Sequence, residues 1–219
     1  MSPTTDEPRE SAADALAQRV EVHWREAFTW AEALRELAAV DRAVFEAIAR
    51  TPTGTLDVPI RRLSNFANHS RLWLAVASAI GLAGGNRGRR AATVGVASIA
   101  VTSATVNVAV KPVFARRRPD RAGLGLFDGR HIASPGSTSF PSGHAASGFA
   151  FAWAVSRDLP VLSVPLGLLA AAVAYSRVHT GVHYPGDVIV GSVLGTATAA
   201  TVAAVRDRYS RRNHVLAGL

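Results

Sequence analysis

The stretch VIVGSVLGTATAATVAAV, residues 188–205, carries no charged side chain and reaches the length of a membrane-spanning helix. A spanning helix needs about 20 apolar residues, with a range of about 17–25. Two further uncharged stretches, 91–110 and 159–176, meet the same criterion. The stretches 72–86 and 145–156 are shorter, so they reach span length only by borrowing neighbours or by staying inside a bundle.

All five stretches are rich in Ala, Gly, Ser and Val, which lets helices approach one another closely within a membrane. We therefore predict an all-α fold, an integral membrane helical bundle of about five to six core helices plus an N-terminal amphipathic helix. The alternative is a soluble all-helical protein whose Ala-rich helices are buried in its own core.

Four segments are predicted along the chain of 219 residues. Residues 1–27 form a polar flexible tail and a helix start, with no apolar core of signal-peptide type. Residues 28–70 form an amphipathic helix and a linker, and the polar face of this helix excludes a membrane span. Residues 71–205 form the helical domain, and residues 206–219 form a basic C-terminal tail.

The charge composition favours a membrane surface and anionic substrates over nucleic acid. The net charge is +8, yet the mean hydropathy is +0.16, so charges must be segregated from apolar runs. No zinc-finger, homeodomain or basic-zipper spacing is present, and no nucleic-acid partner is expected. The absence of cysteine excludes disulfides and thiolate nucleophiles. Lys111 is the only lysine beside 23 arginines.

The arginines that flank the apolar stretches predict an orientation. Arg87, Arg89 and Arg90 separate the first two stretches, Arg157 separates the third from the fourth, and a basic run follows the fifth. By the positive-inside rule these ends are cytoplasmic. We therefore expect a protein integral to the cytoplasmic membrane whose loops 111–144 and 177–187 lie on the extracytoplasmic face.

Three polar segments share that face: KPVFARRRPD at 111–120, FPSGH at 140–144 and SRVHTGVHYPGD at 176–187. Each alone has a plain interpretation, as an interfacial anchor, a helix start or an ordinary His–Asp pair. Together they supply cations, a helix N-terminus, two histidines and an aspartate, which is the chemistry that phosphate transfer requires. Lysine and arginine neutralise phosphate, and free N–H groups at a helix start bind anions.

The two histidines allow one imidazole to attack phosphorus and the other to protonate the leaving oxygen. Asp187 can hold one imidazole in the reactive tautomer, as an aspartate does in a hydrolase triad. The carboxylates near these segments are too few for a two-metal site. We therefore expect no metal and no cofactor.

The motifs Lys-x6-Arg-Pro, Pro-Ser-Gly-His and Ser-Arg-x5-His-x3-Asp, in that order, resemble the three signature motifs of the type 2 phosphatidate phosphatase family. This superfamily also includes bacterial acid phosphatases and vanadium haloperoxidases. The resemblance covers roughly residues 70–205, and it implies a metal-independent phosphatase that forms a phosphohistidine.

The resemblance also implies a role for each matching residue. His183 would be the nucleophile, Asp187 would orient it, and His144 would be the acid for the leaving group and then the base for water. The phosphate-binding groups would be Lys111, Arg118, Ser142, Gly143 and Arg177.

Other charged residues near the motifs are expected outside the catalytic group. Arg116 and Arg117 are expected to be solvated or to face lipid headgroups. His179 is expected to be exposed or to contact the site only through another residue. The remaining histidines are interpreted as surface or structural residues: His23, His69, His131 and His214.

Because the chain is small and has span-length stretches, it resembles the integral membrane branch, which acts on lipid or isoprenoid phosphates. The composition and the run Asn68-His-Ser-Arg-Leu-Trp73 also resemble actinobacterial members. Candidate substrates are phosphatidic acid, phosphatidylglycerol phosphate, polyprenyl (di)phosphates and a prenyl-phosphoryl pentose phosphate. Two alternatives stay open, a soluble non-specific acid phosphatase and a non-enzymatic basic membrane adaptor that binds anionic lipid. The sequence leaves the oligomeric state open.

Overall fold

The computed structural model describes residues 30–121, 128–134 and 136–217. Within these ranges the regular secondary structure is helical throughout, as predicted. Seven α-helices are described: α1 (Trp30–Arg50), α2 (Asp57–Phe66), α3 (Arg71–Ala83), α4 (Gly85–Ala104), α5 (Gly143–Asp158), α6 (Ser163–His179) and α7 (Pro185–Ala217). The predicted tail 1–27, with His23, lies outside the described residues, as does the side chain of His214.

The chain divides into two units, Met1–Arg42 and Ala43–Leu219. Of the first unit the structure describes residues 30–42, which form the N-terminal part of α1. In the second unit the last turns of α1 bury Phe45 and Ala49 in a small cluster with Val178. The predicted linker after α1 contains a short 3-10 turn, Gly54–Leu56, and leads directly into α2.

Helix α5 lies at the centre of the second unit and packs against α4, α6 and α7. The first residue of α5, Gly143, lies next to Val106, just beyond the end of α4. At the other end of α5, the carbonyl of Asp158 accepts from Arg87, near the start of α4. Helices α4 and α5 are therefore antiparallel. The connections that carry the three motifs consequently meet at one end of the bundle.

Small residues let α7 lie directly on the backbone of α5. A Cβ atom added at Gly195 would overlap the carbonyl oxygen of Ala146, and one at Gly191 would meet that of Ser142. The two glycines are four residues apart, so they share one face of α7. This close approach is typical of helix packing in membranes.

Among the described residues, three helical segments are long and apolar enough to cross a membrane: Gly85–Val110, Pro160–His179 and Pro185–Tyr209. They correspond to the three stretches of span length in the sequence. Helix α5 is shorter, and most of its side chains are buried inside the bundle. Because it is buried among other helices, the uncharged stretch 145–156 can be shorter than a membrane-spanning helix.

The end of the bundle opposite the motifs carries an ionic cluster. Arg206 Nη1 lies 3.2 Å from Asp158 Oδ2, and Arg157 Nη2 lies 3.1 Å from Asp207 Oδ2. Helix α7 continues through Arg206 and Asp207 to Ala217. Residues 206–217 of the predicted basic tail therefore extend this helix.

Candidate active site

A pocket of about 200 Å³ opens at the end of the bundle where the motif segments meet. Its walls contain residues from all three motifs: Lys111, Arg118, Gly143, His144 and His183. The structure thus brings together five of the eight side chains or backbone positions that the sequence predicted.

Lys111 and Arg118 are held side by side by Ser137. Lys111 Nζ donates to Ser137 Oγ at 3.1 Å, and Arg118 donates from Nε to the Ser137 carbonyl at 3.0 Å. Burial, and next the charge of Arg118, lower the pKa of Lys111 below its usual range. Arg118 donates further to the carbonyls of Val182 and Thr138, which are also neutral. Two neighbouring cations held by neutral acceptors form a binding position for an anion. Ser137 was missed because it lies outside the motifs.

His183 is almost fully buried, with 2% of its surface exposed. Its Nε2 atom lies 3.3 Å from Arg118 Nη1, and its Nδ1 atom lies 3.5 Å from Asp187 Oδ2. The second distance is longer than an ordinary N–H···O hydrogen bond. Burial lowers the pKa of His183 to about 4, despite the opposing effect of Asp187. The imidazole is therefore neutral at neutral pH, with Asp187 on one ring nitrogen and Arg118 on the other.

Asp187 is fully buried and is held by Arg116. Arg116 Nη1 donates to Asp187 Oδ1 at 2.8 Å, and its guanidinium lies 4.2 Å from the centre of the Tyr184 ring. The backbone N–H of Tyr184 donates to Asp187 Oδ2 at 3.0 Å. The expectation that Arg116 is solvated is wrong, because 28% of its side chain is exposed and it forms this ion pair. Arg117 is exposed, as expected.

His144 lies at the first turn of α5, and its Nε2 atom is 2.8 Å from Asn68 Oδ1. Burial, followed by the charges of Arg177, His183, Lys111 and Arg118, lowers the pKa of His144 to about 2. The contact with Asn68 fixes the orientation of the ring. Asn68 belongs to the run 68–73 that supported the resemblance, but its partner was not visible in the sequence.

Ser142 and Arg177 are buried beside the pocket, although neither lines it. Ser142 Oγ accepts a long contact from the N–H of Ala145 at 3.5 Å, and so caps α5. Arg177 Nη1 donates to Ser64 Oγ at 2.7 Å, while its Nε finds no acceptor among the described residues. Phosphate binding by these two residues stays a prediction.

His179 belongs to a second buried cluster and is not exposed. Its Nε2 lies 3.0 Å from Asp57 Oδ1, which also accepts from Arg130 Nε at 2.9 Å. Arg130 donates further to the carbonyls of Ile48, Ala49 and Thr51 and to Thr53 Oγ1. None of these partners was identified from the sequence, because each contact joins residues far apart in the chain.

Among the described ranges, no three His, Asp or Glu side chains come together as a metal site would require. The expected absence of a metal therefore stays a prediction about the reaction.

The model of the PAP2 superfamily matches residues 91–211, more than half of the chain. The chain belongs to the PAP2 superfamily. A decaprenylphosphoryl-5-phosphoribose phosphatase from Mycobacterium tuberculosis is 37% identical over 159 residues, which cover 69% of this PAP2 chain and 83% of the relative. A lipid A 4'-phosphatase from Bacteroides thetaiotaomicron is 30% identical over 102 residues, covering 41% and 42% of the two chains.

Two solved structures have the same fold as this PAP2 protein. Aquifex aeolicus LpxE superposes with a TM-score of 0.61 at 23% identity, covering 74% of this chain and 93% of its own. A transmembrane PAP2 type phosphatidylglycerolphosphate phosphatase from Bacillus subtilis gives 0.60 at 22% identity, covering 89% and 95%. Together with the three span-length helices, these likenesses confirm the predicted all-α membrane bundle.

Proposed function

We propose that this membrane protein of the PAP2 superfamily hydrolyses a phosphomonoester, or a diphosphate, of a lipid or isoprenoid through a metal-independent phosphohistidine intermediate. The observation that supports this most is the setting of His183. A neutral imidazole has Asp187 beside one ring nitrogen and Arg118 beside the other, at the wall of a pocket that also contains Lys111 and His144.

The reaction would proceed in two steps. In the first, His183 Nε2 attacks phosphorus, the bond from phosphorus to the leaving oxygen breaks, and His144 gives that oxygen a proton. In the second, His144 takes a proton from water, the resulting hydroxide attacks phosphorus, and the bond to His183 breaks. Asp187 stabilises the positive charge that the imidazole acquires in the first step.

The phosphoryl oxygens would be bound by Lys111, Arg118 and the N–H of Gly143 at the start of α5. Arg177 is proposed as a further donor, because a buried guanidinium N–H without an acceptor gains a partner when an anion enters. In acyl-transfer enzymes the loss of one such donor costs about 2.7–4 kcal/mol of transition-state stabilisation. Ser142 would act indirectly: by capping α5 it would keep the N–H groups at the start of that helix in position to bind phosphate.

Substrate binding would also prepare His144 for its role. In the empty pocket its pKa is about 2, because burial and the surrounding cations disfavour a further positive charge. A phosphate dianion among the same cations offsets most of their charge, so the pKa of His144 rises when substrate binds. The general acid would therefore form only in the complex.

The named activity of the Mycobacterium tuberculosis relative supports a polyprenyl-phosphoryl pentose phosphate as the first substrate to test. Phosphatidic acid and phosphatidylglycerol phosphate are the next. The location that we propose is the cytoplasmic membrane, with the pocket on the extracytoplasmic face, because the ionic cluster at the other end satisfies the positive-inside rule.

The test is phosphate release by the purified protein in detergent, with EDTA present, from each of these lipids. His183→Ala should abolish release, and the exposed His131→Ala should preserve it. Brief mixing of labelled substrate with wild type should leave an acid-labile phosphate on the protein. Release that persists in His183→Ala would overturn the mechanism, and release lost to EDTA would overturn its metal independence.

Vesicle binding and membrane sedimentation separate the two alternatives. A basic membrane adaptor binds anionic vesicles without turnover, and its binding survives His183→Ala. A soluble acid phosphatase remains in the aqueous fraction when membranes are sedimented. The three span-length helices argue against the soluble alternative.

A further inference from the structure

The pocket has a second wall beyond the phosphate-binding residues. This wall includes Ser70 and Trp73, at the start of α3, and Ser103 and Asn107, at the end of the α4 segment. None of the four belongs to a catalytic motif. Their side chains, apart from Trp73, are neutral hydrogen-bonding groups.

The wall continues the helix face on which Lys111 lies. Ser103, Asn107 and Lys111 are spaced four residues apart, so they follow one another along one side of the helix. The last part of the segment is a π-helix, Thr105–Val110, and the N–H of Lys111 donates to the carbonyl of Val106 at 2.9 Å. Wider turns of this kind frequently occur at functional sites.

The amide of Asn107 is oriented by its neighbour. Asn107 Nδ2 donates to the Ser103 carbonyl at 2.9 Å and contacts Ser103 Oγ at 3.2 Å. A carbonyl only accepts, so the nitrogen of the amide must face it, and the amide oxygen is left to accept from a ligand hydroxyl.

Ser70 reaches the pocket through an unusual backbone. His69 and Ser70 have φ values of 55° and 59°, in the left-handed region that side chains other than glycine seldom adopt. Strain of this kind persists where the surrounding structure needs it, and it is frequent in ligand-binding segments.

The second wall and the phosphate-binding residues line one continuous pocket. A group attached to a phosphoryl bound beside Lys111, Arg118 and His183 would therefore lie against the second wall.

The charge of the walls restricts what this leaving group can be. Among the described lining residues, the lysine and arginine side chains are Lys111 and Arg118, both at the phosphate end. The remaining titratable side chain on the second wall, His69, is exposed. A diphosphate substrate would put its negatively charged leaving phosphate against serine and asparagine, whereas a sugar would put hydroxyl groups there.

We propose that Ser70, Ser103 and Asn107 form a subsite for the uncharged, hydroxyl-bearing part of the leaving group, the sugar ring of a sugar phosphomonoester. The subsite rests on the proposed function, because it acts on the same reaction. On hydrolysis the bond from phosphorus to the sugar oxygen breaks, and the sugar leaves as an alcohol in this subsite.

The test compares three probes with the purified full chain: a polyprenyl-phosphoryl ribose 5-phosphate, a polyprenyl diphosphate of equal chain length, and p-nitrophenyl phosphate. The quantity measured is the ratio of kcat/KM for the sugar phosphate to kcat/KM for p-nitrophenyl phosphate. Asn107→Leu and Ser103→Ala should each lower this ratio by roughly 5- to 10-fold, the effect of one hydrogen bond. The control is Thr105→Val, whose hydroxyl bonds only within the helix, to Val101.

Wild type should prefer the sugar phosphate to the diphosphate. An unchanged ratio in both Asn107→Leu and Ser103→Ala, or a wild-type preference for the diphosphate, would overturn the subsite. If Asn107→Leu does not fold, Asn107→Ser replaces it and the same ratio decides. Absence of release from all three probes by wild type would instead refute the proposed function, so the two failures are distinguishable.

Discussion

Replacing Arg116 by alanine tests whether orientation of Asp187, the proposed catalytic aspartate, can be separated from binding of phosphate. Arg116 contacts Asp187 but does not line the pocket, whereas Arg118 does. Its loss leaves Asp187 with the backbone N–H of Tyr184 and the more distant ring of His183. We therefore expect a lower kcat with little change in KM.

The magnitude follows from the contact. A hydrogen bond to a charged group contributes about 1.5–3 kcal/mol. Because 28% of the Arg116 side chain is exposed, solvent screening favours the lower half of that range. At about 1.4 kcal/mol per factor of ten, kcat should fall by roughly 10- to 40-fold. Arg116→Lys, which keeps the charge but loses the planar contact with Tyr184, should lie between wild type and Arg116→Ala.

The assay is steady-state phosphate release in detergent, together with the thermal midpoint of each variant. Arg117→Ala is the matched control, since its side chain is exposed, and it should stay within about two-fold of wild type. Unchanged or increased kcat in Arg116→Ala, or a raised KM at constant kcat, would refute the orienting role.

Three further predictions concern the lysine, the nucleophile and the helix contact. Lys111→Arg keeps the charge but places a planar fork where a compact ammonium lies, so activity should fall by at least about 10-fold, while Arg117→Lys should have little effect. Because the attacking imidazole must be neutral and the pKa of His183 is about 4, kcat/KM should rise as pH increases through about 4. Gly195→Ala should lower the free energy of unfolding by about 1–3 kcal/mol through overlap with the backbone of α5, whereas Gly167→Ala, with open space around it, should not.

Each of these has a result that contradicts it. Near-normal turnover of Lys111→Arg would mean that the single lysine is an accident of composition. An acid limb near 6.5, the ordinary pKa of histidine, would mean that burial does not act on His183 as described. Equal thermal midpoints for Gly195→Ala and Gly167→Ala would mean that α5 and α7 can move apart without cost.

The helices could be predicted because their signal is local. The uncharged stretch 188–205 becomes most of the span Pro185–Tyr209, and 91–110 lies within Gly85–Val110. The sequence does not decide whether α5 is buried, because a short apolar stretch does not reveal whether it faces lipid or protein. The continuation of α7 to Ala217 was missed, since charged residues mark a membrane boundary without ending a helix.

The site was predictable to the extent that its groups lie inside motifs. Lys111, Arg118, Gly143, His144 and His183 meet at one pocket. The partners of Lys111, His144 and Arg177 could not be predicted. They are Ser137, Asn68 and Ser64, which come from other segments, and serine or asparagine carries no distinctive spacing. The contact of Arg116 with Asp187 could not be predicted, since three adjacent arginines do not reveal which of them turns inward.

The site depends on partners from residues 57–68, so a segment transplanted to carry this site must include those residues. Asp57, Ser64 and Asn68 hold His179, Arg177 and His144, yet all three precede the residues 91–211 that match the superfamily. A chimera joined at the superfamily boundary would keep every signature residue but remove the partners of the buried Arg177 and His179 and of His144 at the pocket wall. An unpaired polar group in the interior is costly. Because the buried Arg130 also donates to residues 48–53, a minimal version of this enzyme should have its N-terminal junction before Ile48.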